Sequence, residues 1–333
     1  MSHSSASIGI DIGSSDIKFA LCSGGSLKRL AIEPLPDNLL REGRIVSTEA
    51  MSIFLREAVK KHRITGRRCA VVLPGAVAFS KTVTMPVMSV EQLQLNLPYE
   101  FRDYISLEKD KYFYDYALLE PISEKADSSA QMHLMAAATL KSTIADYSAM
   151  LQRAGLKLTS AAPEECAYMS LLRRYQEANH IPPQEYCIID LGHSATKVHI
   201  FSGHRFEVTR VIDYGGAMMD SLLSENMNID AHIAKNYRLT NYDNLLESEV
   251  LLNLYRSVAI EIMRAVNFYG FNNPTSQLKN AYLSGGGALN PFLVEQIRNE
   301  TSLELHEVTE LLPPSAQTLD TPPLATLAYG IAL

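Results

Sequence analysis

The chain repeats part of itself. Ile10-Asp11-Ile12-Gly13-Ser14-Ser15-Asp16-Ile17-Lys18-Phe19 aligns with Ile189-Asp190-Leu191-Gly192-His193-Ser194-Ala195-Thr196-Lys197-Val198, 179 positions later. Ile, Asp, Gly, Ser and Lys recur in the same order. Each copy is an apolar run, a short Gly/Ser turn and a second alternating run: residues 7–12 into 17–21, and 186–191 into 196–201. Apolar runs parted by small polar residues predict β-hairpins with polar tips. One such unit near the start of each half predicts two related α/β lobes, and 333 residues suffice for two domains.

The tips have a specific chemistry. Gly13 and Gly192 let the backbone turn tightly enough for N–H groups to point at an anion. Ser14, Ser15, Ser194 and Thr196 add hydroxyl donors. Asp11 and Asp190, at the ends of their first strands, suit Mg²⁺ held through water, because that ion usually keeps several waters. A single hairpin of this kind is more often a plain turn. Two copies in the same order predict a pair of loops that grip a polyphosphate.

A third glycine stretch, Ser284-Gly285-Gly286-Gly287-Ala288-Leu289-Asn290-Pro291, follows a short apolar run. It predicts a strand-to-helix turn with Asn290 as N-cap and Pro291 in the first helical position. Gly285, Gly286 and Gly287 allow the backbone to lie flat against a planar or phosphorylated ligand. Asn290 stands where a dinucleotide fingerprint needs its third glycine, and no GxxxxGK[ST] is present, so Rossmann and P-loop folds are excluded on their own motifs.

The formal net charge of −7 removes a whole-protein electrostatic case for nucleic acid. Four scattered cysteines without a CxxC pair predict a reducing compartment, with neither a disulfide framework nor a zinc site. No run reaches 18 apolar residues and the first seven residues are polar, so a cytoplasmic soluble protein is expected.

Two Asp-Gly hairpins followed by a late Ser-Gly-Gly-Gly turn resemble the actin-like ATPase superfamily. Within it, the chain is similar to the PilM family of type IV pilus assembly proteins, related to FtsA. Leu73-Pro74-Gly75, then Lys81-Thr82-Val83-Thr84-Met85-Pro86-Val87-Met88-Ser89, Asp115-Tyr116, Leu134-Met135-Ala136-Ala137-Ala138 and Ala154-Gly155-Leu156 carry the likeness. So do Gly215-Gly216, Glu261 with Arg264, and Ala328-Tyr329-Gly330.

The resemblance implies an α/β, actin-like fold: two duplicated ribonuclease-H-like lobes, the first carrying an inserted small α+β subdomain. Residues 1–75, 158–184 and about 318–333 would form the first lobe, and 76–157 the partner-binding insert. Residues 185–317 would form the second lobe, with 217–262 as its smaller helical part. Ser89 and Gln92 predict a capping box opening the insert's helix, whose face would carry Leu93, Leu97, Phe101 and Ile105, with Pro98 as an interruption. A long helix is expected from about 244 to 269.

The resemblance also implies ATP and Mg²⁺ as cofactors. Asp11 and Asp190 would hold the metal, and Asp190 would also serve catalysis. Lys18 and the residues of both tips, Gly13, Ser14, Ser15, Gly192, His193, Ser194 and Thr196, would hold phosphates. Gly215 and Gly216 match the family's Gly-Gly turn near them, with Gly285 to Gly287 as a further cofactor contact. Glu261 and Arg264 would touch ribose and base, or form a plain i,i+3 pair. Glu164 matches an acidic helix start near a water-orienting group, although the helix dipole alone favours an acid there. His193 departs from the small residue usual at its position, which leaves hydrolysis slow at most and a degenerate pseudo-ATPase adaptor as an alternative. A small-molecule kinase of the same superfamily needs a catalytic carboxylate beside a bound hydroxyl, for which a PilM-type insert leaves no obvious acceptor pocket. The implied partner is the N-terminal cytoplasmic peptide of a PilN-like bitopic membrane protein, gripped beside the insert, with a homo-oligomer and pilus motor components as further partners. The implied place is the inner face of a bacterial inner membrane, contacted only indirectly.

Overall fold

The structure, a computed structural model, describes residues 7–24, 26–105, 108–120, 130–313 and 323–333. The expected first hairpin is β1 (Ser7–Ile12) and β2 (Asp16–Ser23), antiparallel, with Asp11 opposite Lys18 and Ile12 opposite Ile17. β3 (Ser26–Pro34) pairs antiparallel with β2, and the two-residue strands β4 (Leu40–Arg41) and β5 (Arg44–Ile45) lead to α1 (Thr48–Lys61). The local sequence starts and ends α1. The Ser47 hydroxyl accepts from the Ala50 N–H, Glu49 sits in the first turn, and Lys60 and Lys61 sit in the last, each matching the helix dipole. Met51, Leu55 and Ala58, spaced by four and three, are its buried face. β6 (Arg68–Leu73) then runs parallel to β1.

The insert follows. β7 (Ala78–Pro86), α2 (Val90–Glu100), β8 (Tyr112–Leu118) and β9 (Gln131–Leu140) build a three-stranded antiparallel sheet, order β7-β9-β8, under one helix. The capping box at Ser89 and Gln92 is present in both directions. Pro98 lies inside α2 near its end, and the helix stops at Glu100. Phe101 and Ile105, expected on the same helical face, reach the same core from beyond that end, alongside Leu93, Leu97 and Leu134. α3 (Lys141–Arg153) ends with Gly155 at φ +85°, a left-handed stop suited to glycine. It buries Tyr147, Met150 and Leu151 in the core that holds β1, β6 and α1, so the insert's own core is its sheet and α2. β10 (Lys157–Pro163) runs parallel to β6 and completes a five-stranded sheet, order β10-β6-β1-β2-β3, before α4 (Glu164–Asn179).

The second sheet repeats the first. β11 (Glu185–Leu191) and β12 (Thr196–Ser202) form an antiparallel hairpin with Asp190 opposite Lys197. After β13 (Arg205–Ile212) come α5 (Gly216–Met227), α6 (Ala231–Leu239) and α7 (Glu249–Asn272). β14 (Asn280–Ser284), α8 (Pro291–Glu300) and β15 (Glu304–Glu307) complete the order β13-β12-β11-β14-β15. In each sheet a central strand pairs antiparallel with its hairpin mate and parallel with the next strand, which is itself flanked by a second parallel neighbour. The repeat seen over ten residues is thus a repeat of sheet topology. The helix expected from 244 begins only at Glu249. Asp243 and Asn244 hold left-handed φ values of 50° and 56°, which no α-helix continues.

The chain ends in α9 (Thr326–Ala332). Residues up to Leu172, with 204–206 and Leu327–Leu333, make one compact unit; Arg173–Gly203 and Glu207–Thr326 make the other. The chain therefore passes between units within α4. Part of the C-terminal return to the first lobe, 318–322, lies outside the described residues. From Leu327 on, the return is seen: a side chain at Gly9 would stand 1.8 Å from the Ala328 carbonyl oxygen, so β1 and α9 pack backbone to backbone there. All four cysteines are free thiols.

Candidate functional site

In the first unit, the loop between β1 and β2 is closed by the Gly13 N–H donating to the Asp16 carbonyl at 3.0 Å. Asp11 is buried, and its Oδ2 lies 3.5 Å from the Lys18 ammonium. That ammonium sits directly over the turn, 2.6 Å from where a Cβ on Gly13 would be. Strand register explains the arrangement: Asp11 and Lys18 are cross-strand partners, so their side chains leave the same face of the hairpin. Ser14 and Ser15 are half-buried at the tip.

The second unit builds its loop in the same way. The Gly192 N–H donates to the Ala195 carbonyl at 3.1 Å, the same three-residue closure, and Asp190 again faces a lysine across the hairpin. Ser194 is exposed and Thr196 is buried. Gly215 and Gly216 support this loop from the side. A Cβ on Gly215 would lie 2.4 Å from the His193 carbonyl oxygen and 2.8 Å from the Ala195 nitrogen. The first amides of α5 are tied to the loop, Gly216 N–H to the Gly192 carbonyl at 3.2 Å and Ala217 N–H to that of His193 at 2.8 Å. The His193 imidazole lies back against Gly216.

The third glycine turn meets the same carboxylate. Gly285 holds φ +83°, and a Cβ there would stand 2.5 Å from Asp190 Oδ1. Gly286 and Gly287 begin a 3₁₀ turn, and Asn290 caps α8 by accepting from the Phe292 and Leu293 N–H groups, with Pro291 in the first position. The second unit thus gathers Gly192, His193, Asp190, Gly215, Gly216 and Gly285 around one loop. Glu261 and Arg264 are hydrogen-bonded to each other on an exposed stretch of α7. Glu164 is buried at the start of α4.

Motif reading missed one feature of this loop. Arg238 on α6 donates to both oxygens of buried Asp220 on α5, at 2.6 and 3.1 Å. Its Nη2 would lie 3.3 Å from a Cβ on Gly216, beside the His193 ring. The pair is 18 residues apart on two helices, and no periodicity or motif marks it.

The first unit holds a cavity of about 420 Å³ between the insert's sheet and β10. The alternation of β8 explains its lining. Tyr112, Tyr114 and Tyr116 pack on the insert's core, whereas Phe113 and Asp115 lie opposite Thr139 and Ala137 of β9, on the other face. Ile144 and Ser148 of α3 and Leu158 to Ala161 of β10 supply further lining. β8 and β10 are both outer strands of their sheets. Cys166, 3.9 Å from the Met135 sulfur, is an inert thiol: burial, then the charges of Glu165 and Asp115, push it up to about 12. Burial, aided by Tyr112 and Asp110, also raises the Tyr114 phenol.

Comparison with known proteins agrees with this architecture. The family model for the type IV pilus assembly protein PilM matches residues 9–318. The solved PilM-PilN type IV pilus biogenesis complex is similar at 22% identity, over 98% of this chain and 97% of that one, with a TM-score of 0.82. The ethanolamine utilization protein EutJ of Carboxydothermus hydrogenoformans shares the fold at 15% identity, 98% and 89% coverage and TM-score 0.58. MreB 5 of Spiroplasma citri, solved bound to AMPPNP, does so at 14% identity, 92% coverage of both chains and TM-score 0.50. The fold is that of the actin-like ATPases, and the chain belongs to the PilM family of type IV pilus assembly proteins.

Proposed function

We propose that this chain is an ATP-binding scaffold of a type IV pilus inner-membrane assembly complex, or of a related secretion system. It holds the cytoplasmic N-terminal peptide of a PilN-like partner in a manner tuned by nucleotide. The observation that carries the nucleotide reading is the duplicated loop: the same closure and the same Asp–Lys register occur in both units. The residues present fit the ligand. Gly285, at φ +83° and with no space for a Cβ beside Asp190 Oδ1 and the Leu191 carbonyl, brings bare backbone up to that carboxylate. Asp11 and Asp190 would hold Mg²⁺ through water. Lys18 and the loop residues 13–15 and 192–196 would hold phosphates, and the metal would neutralise their charge. Glu164 would orient water in any slow hydrolysis.

The cavity between the insert and β10 supports the peptide reading. Two outer strands border it, and an extended segment can add to such an edge through main-chain hydrogen bonds. No helix among the described residues is long and apolar enough to cross a membrane.

Calorimetric titration with Mg·ATP tests the nucleotide site. Micromolar binding is expected, with loss in Asp190→Ala; unchanged affinity in that variant refutes the assignment. A second reading, a peptide-holding adaptor that has lost nucleotide, is favoured by His193, whose carbonyl and ring both close onto the start of α5. It predicts no binding by the unmodified protein and restored binding in His193→Gly.

A further inference from the structure

The cavity of the first unit is small-floored and mostly apolar in the groups it presents. Ala137 and Ala138 form part of its wall. The hydroxyls of Thr139 and Thr159 donate to the Val77 and Cys69 carbonyls, at 2.7 and 2.9 Å, and are therefore already satisfied. Among the described residues, Asp115 is the only carboxylate, and the only charged side chain, that lines the cavity. One of its oxygens accepts from the Tyr116 N–H at 2.8 Å, which fixes the group on the strand. Among the described residues no Lys, Arg or His forms an ion pair with it.

A cation stands at the other end of this short stretch. Lys141 lies over the Phe113 ring, 5.6 Å from its centre. Phe113 and Asp115 are two residues apart on one strand face, roughly 7 Å. The cavity therefore presents one carboxylate among small and apolar groups, while Lys141, which is not part of its lining, stands over Phe113. The spacing matches two residues of an extended chain running beside β8.

Resting on the peptide reading above, we infer that Asp115 is a specificity-determining residue of the groove, which pairs with one Lys or Arg of the docked segment while apolar side chains fill the Phe113 side. Charge complementarity selects this occupant. A cytoplasmic segment next to a membrane span is typically rich in Lys and Arg, and Lys141 repels a cation from the Phe113 end. A wholly apolar or acidic segment would leave Asp115 facing it without a partner.

The test uses the full chain and a fluorescent synthetic peptide of the partner's cytoplasmic N-terminal segment, read by anisotropy at two salt concentrations. Asp115→Asn keeps an acceptor for the Tyr116 N–H, so its melting curve should match that of the unmodified protein. Its peptide affinity should fall about fivefold, with a shallower salt dependence. Peptides with each Lys or Arg replaced in turn by norleucine should reveal one position whose replacement weakens binding to the unmodified chain but not to Asp115→Asn. Asp115→Lys should regain affinity when that position carries Glu. Ser148→Trp, an exposed helix residue lining the cavity, is the control for the groove itself and should abolish binding. If Ser148→Trp binds normally, or the unmodified chain binds no peptide, the groove reading falls and this inference with it. If Ser148→Trp blocks binding while Asp115→Asn binds as tightly as before at both salt concentrations, the groove stands and the role of Asp115 is overturned.

Discussion

Gly215→Ala should displace the second loop without touching any residue proposed to hold a metal. Its backbone is extended, at φ −156° and ψ −173°, so alanine meets no conformational objection. By removing freedom from the unfolded chain, such a change would ordinarily stabilise by about 0.4–1 kcal/mol. The obstacle is space. The new methyl would stand 2.4 Å from the His193 oxygen, whereas such carbons essentially never come within 3.0 Å of a neighbour. The obstructing atoms are backbone, so no side chain can swing aside, and the loop must retreat by at least ~0.6 Å. Overpacking of this kind costs about 1–3 kcal/mol. The two bonds from Gly216 and Ala217, at 3.2 and 2.8 Å, lengthen with the movement and lose part of about 1 kcal/mol each. The net expectation is a loss of about 2–3 kcal/mol. The chain has no tryptophan, so urea unfolding is best followed by far-ultraviolet circular dichroism. Gly286→Ala is the matched control, because its methyl would meet only the Leu324 side chain at 3.7 Å, an ordinary contact. It should change stability by less than about 0.5 kcal/mol. Mg·ATP affinity should fall more than about tenfold in Gly215→Ala, since a displacement approaching 1 Å is enough to misplace bound groups. Equal stability of the two variants, or a Gly215→Ala protein within 0.5 kcal/mol of the unmodified chain, would refute the reasoning.

Two further outcomes concern ion pairs of different exposure. Arg238→Met strips the partner from Asp220, which is 5% exposed, and should cost about 3–5 kcal/mol in urea unfolding. Adding Asp220→Leu should recover most of that loss, and failure to recover would mean the pair acts through something other than an uncompensated charge. Glu33 on β3 receives Lys61 at 2.8 Å and His62 at 2.6 Å; burial opposes its ionisation, but these two bonds outweigh it and hold the carboxyl below its ordinary 4.5. A carboxylate with a depressed folded-state pKa stabilises fully above its unfolded value, and that contribution disappears as pH falls through the folded one. The stability difference between the unmodified chain and Glu33→Gln should therefore shrink steadily as the pH falls below about 4.5. Parallel stability curves down to about pH 3 would show that Glu33 is not held in this way.

What the sequence determined by itself is local or repeated. Asp11, Gly13 and Lys18, and Asp190, Gly192 and Lys197, lie within eight residues of one another. Hairpin register alone sets them on one face, so a ten-residue repeat was enough to predict the loops and, through them, the duplicated sheets. Caps were legible for the same reason. Ser89 and Asn290 bond to amides three residues away or nearer, and the signal is complete within one turn. The start of α7 was missed because Asp243 and Asn244 adopt left-handed φ values that composition does not announce. Tertiary structure alone decided the rest. The Arg238–Asp220 pair needs two helices packed together. The contact of Gly215 with the His193 carbonyl needs the chain to return after β13, and turns an ordinary Gly-Gly turn into the loop's support. The cavity at Asp115 needs the outer strands of two sheets, from segments about 40 residues apart, to border one space. Side-chain period and capping are short-range physics that a sequence displays directly. A cavity or a backbone-to-backbone contact is defined by what fails to fit, or just fits, between distant segments, and that exists only once the chain has packed.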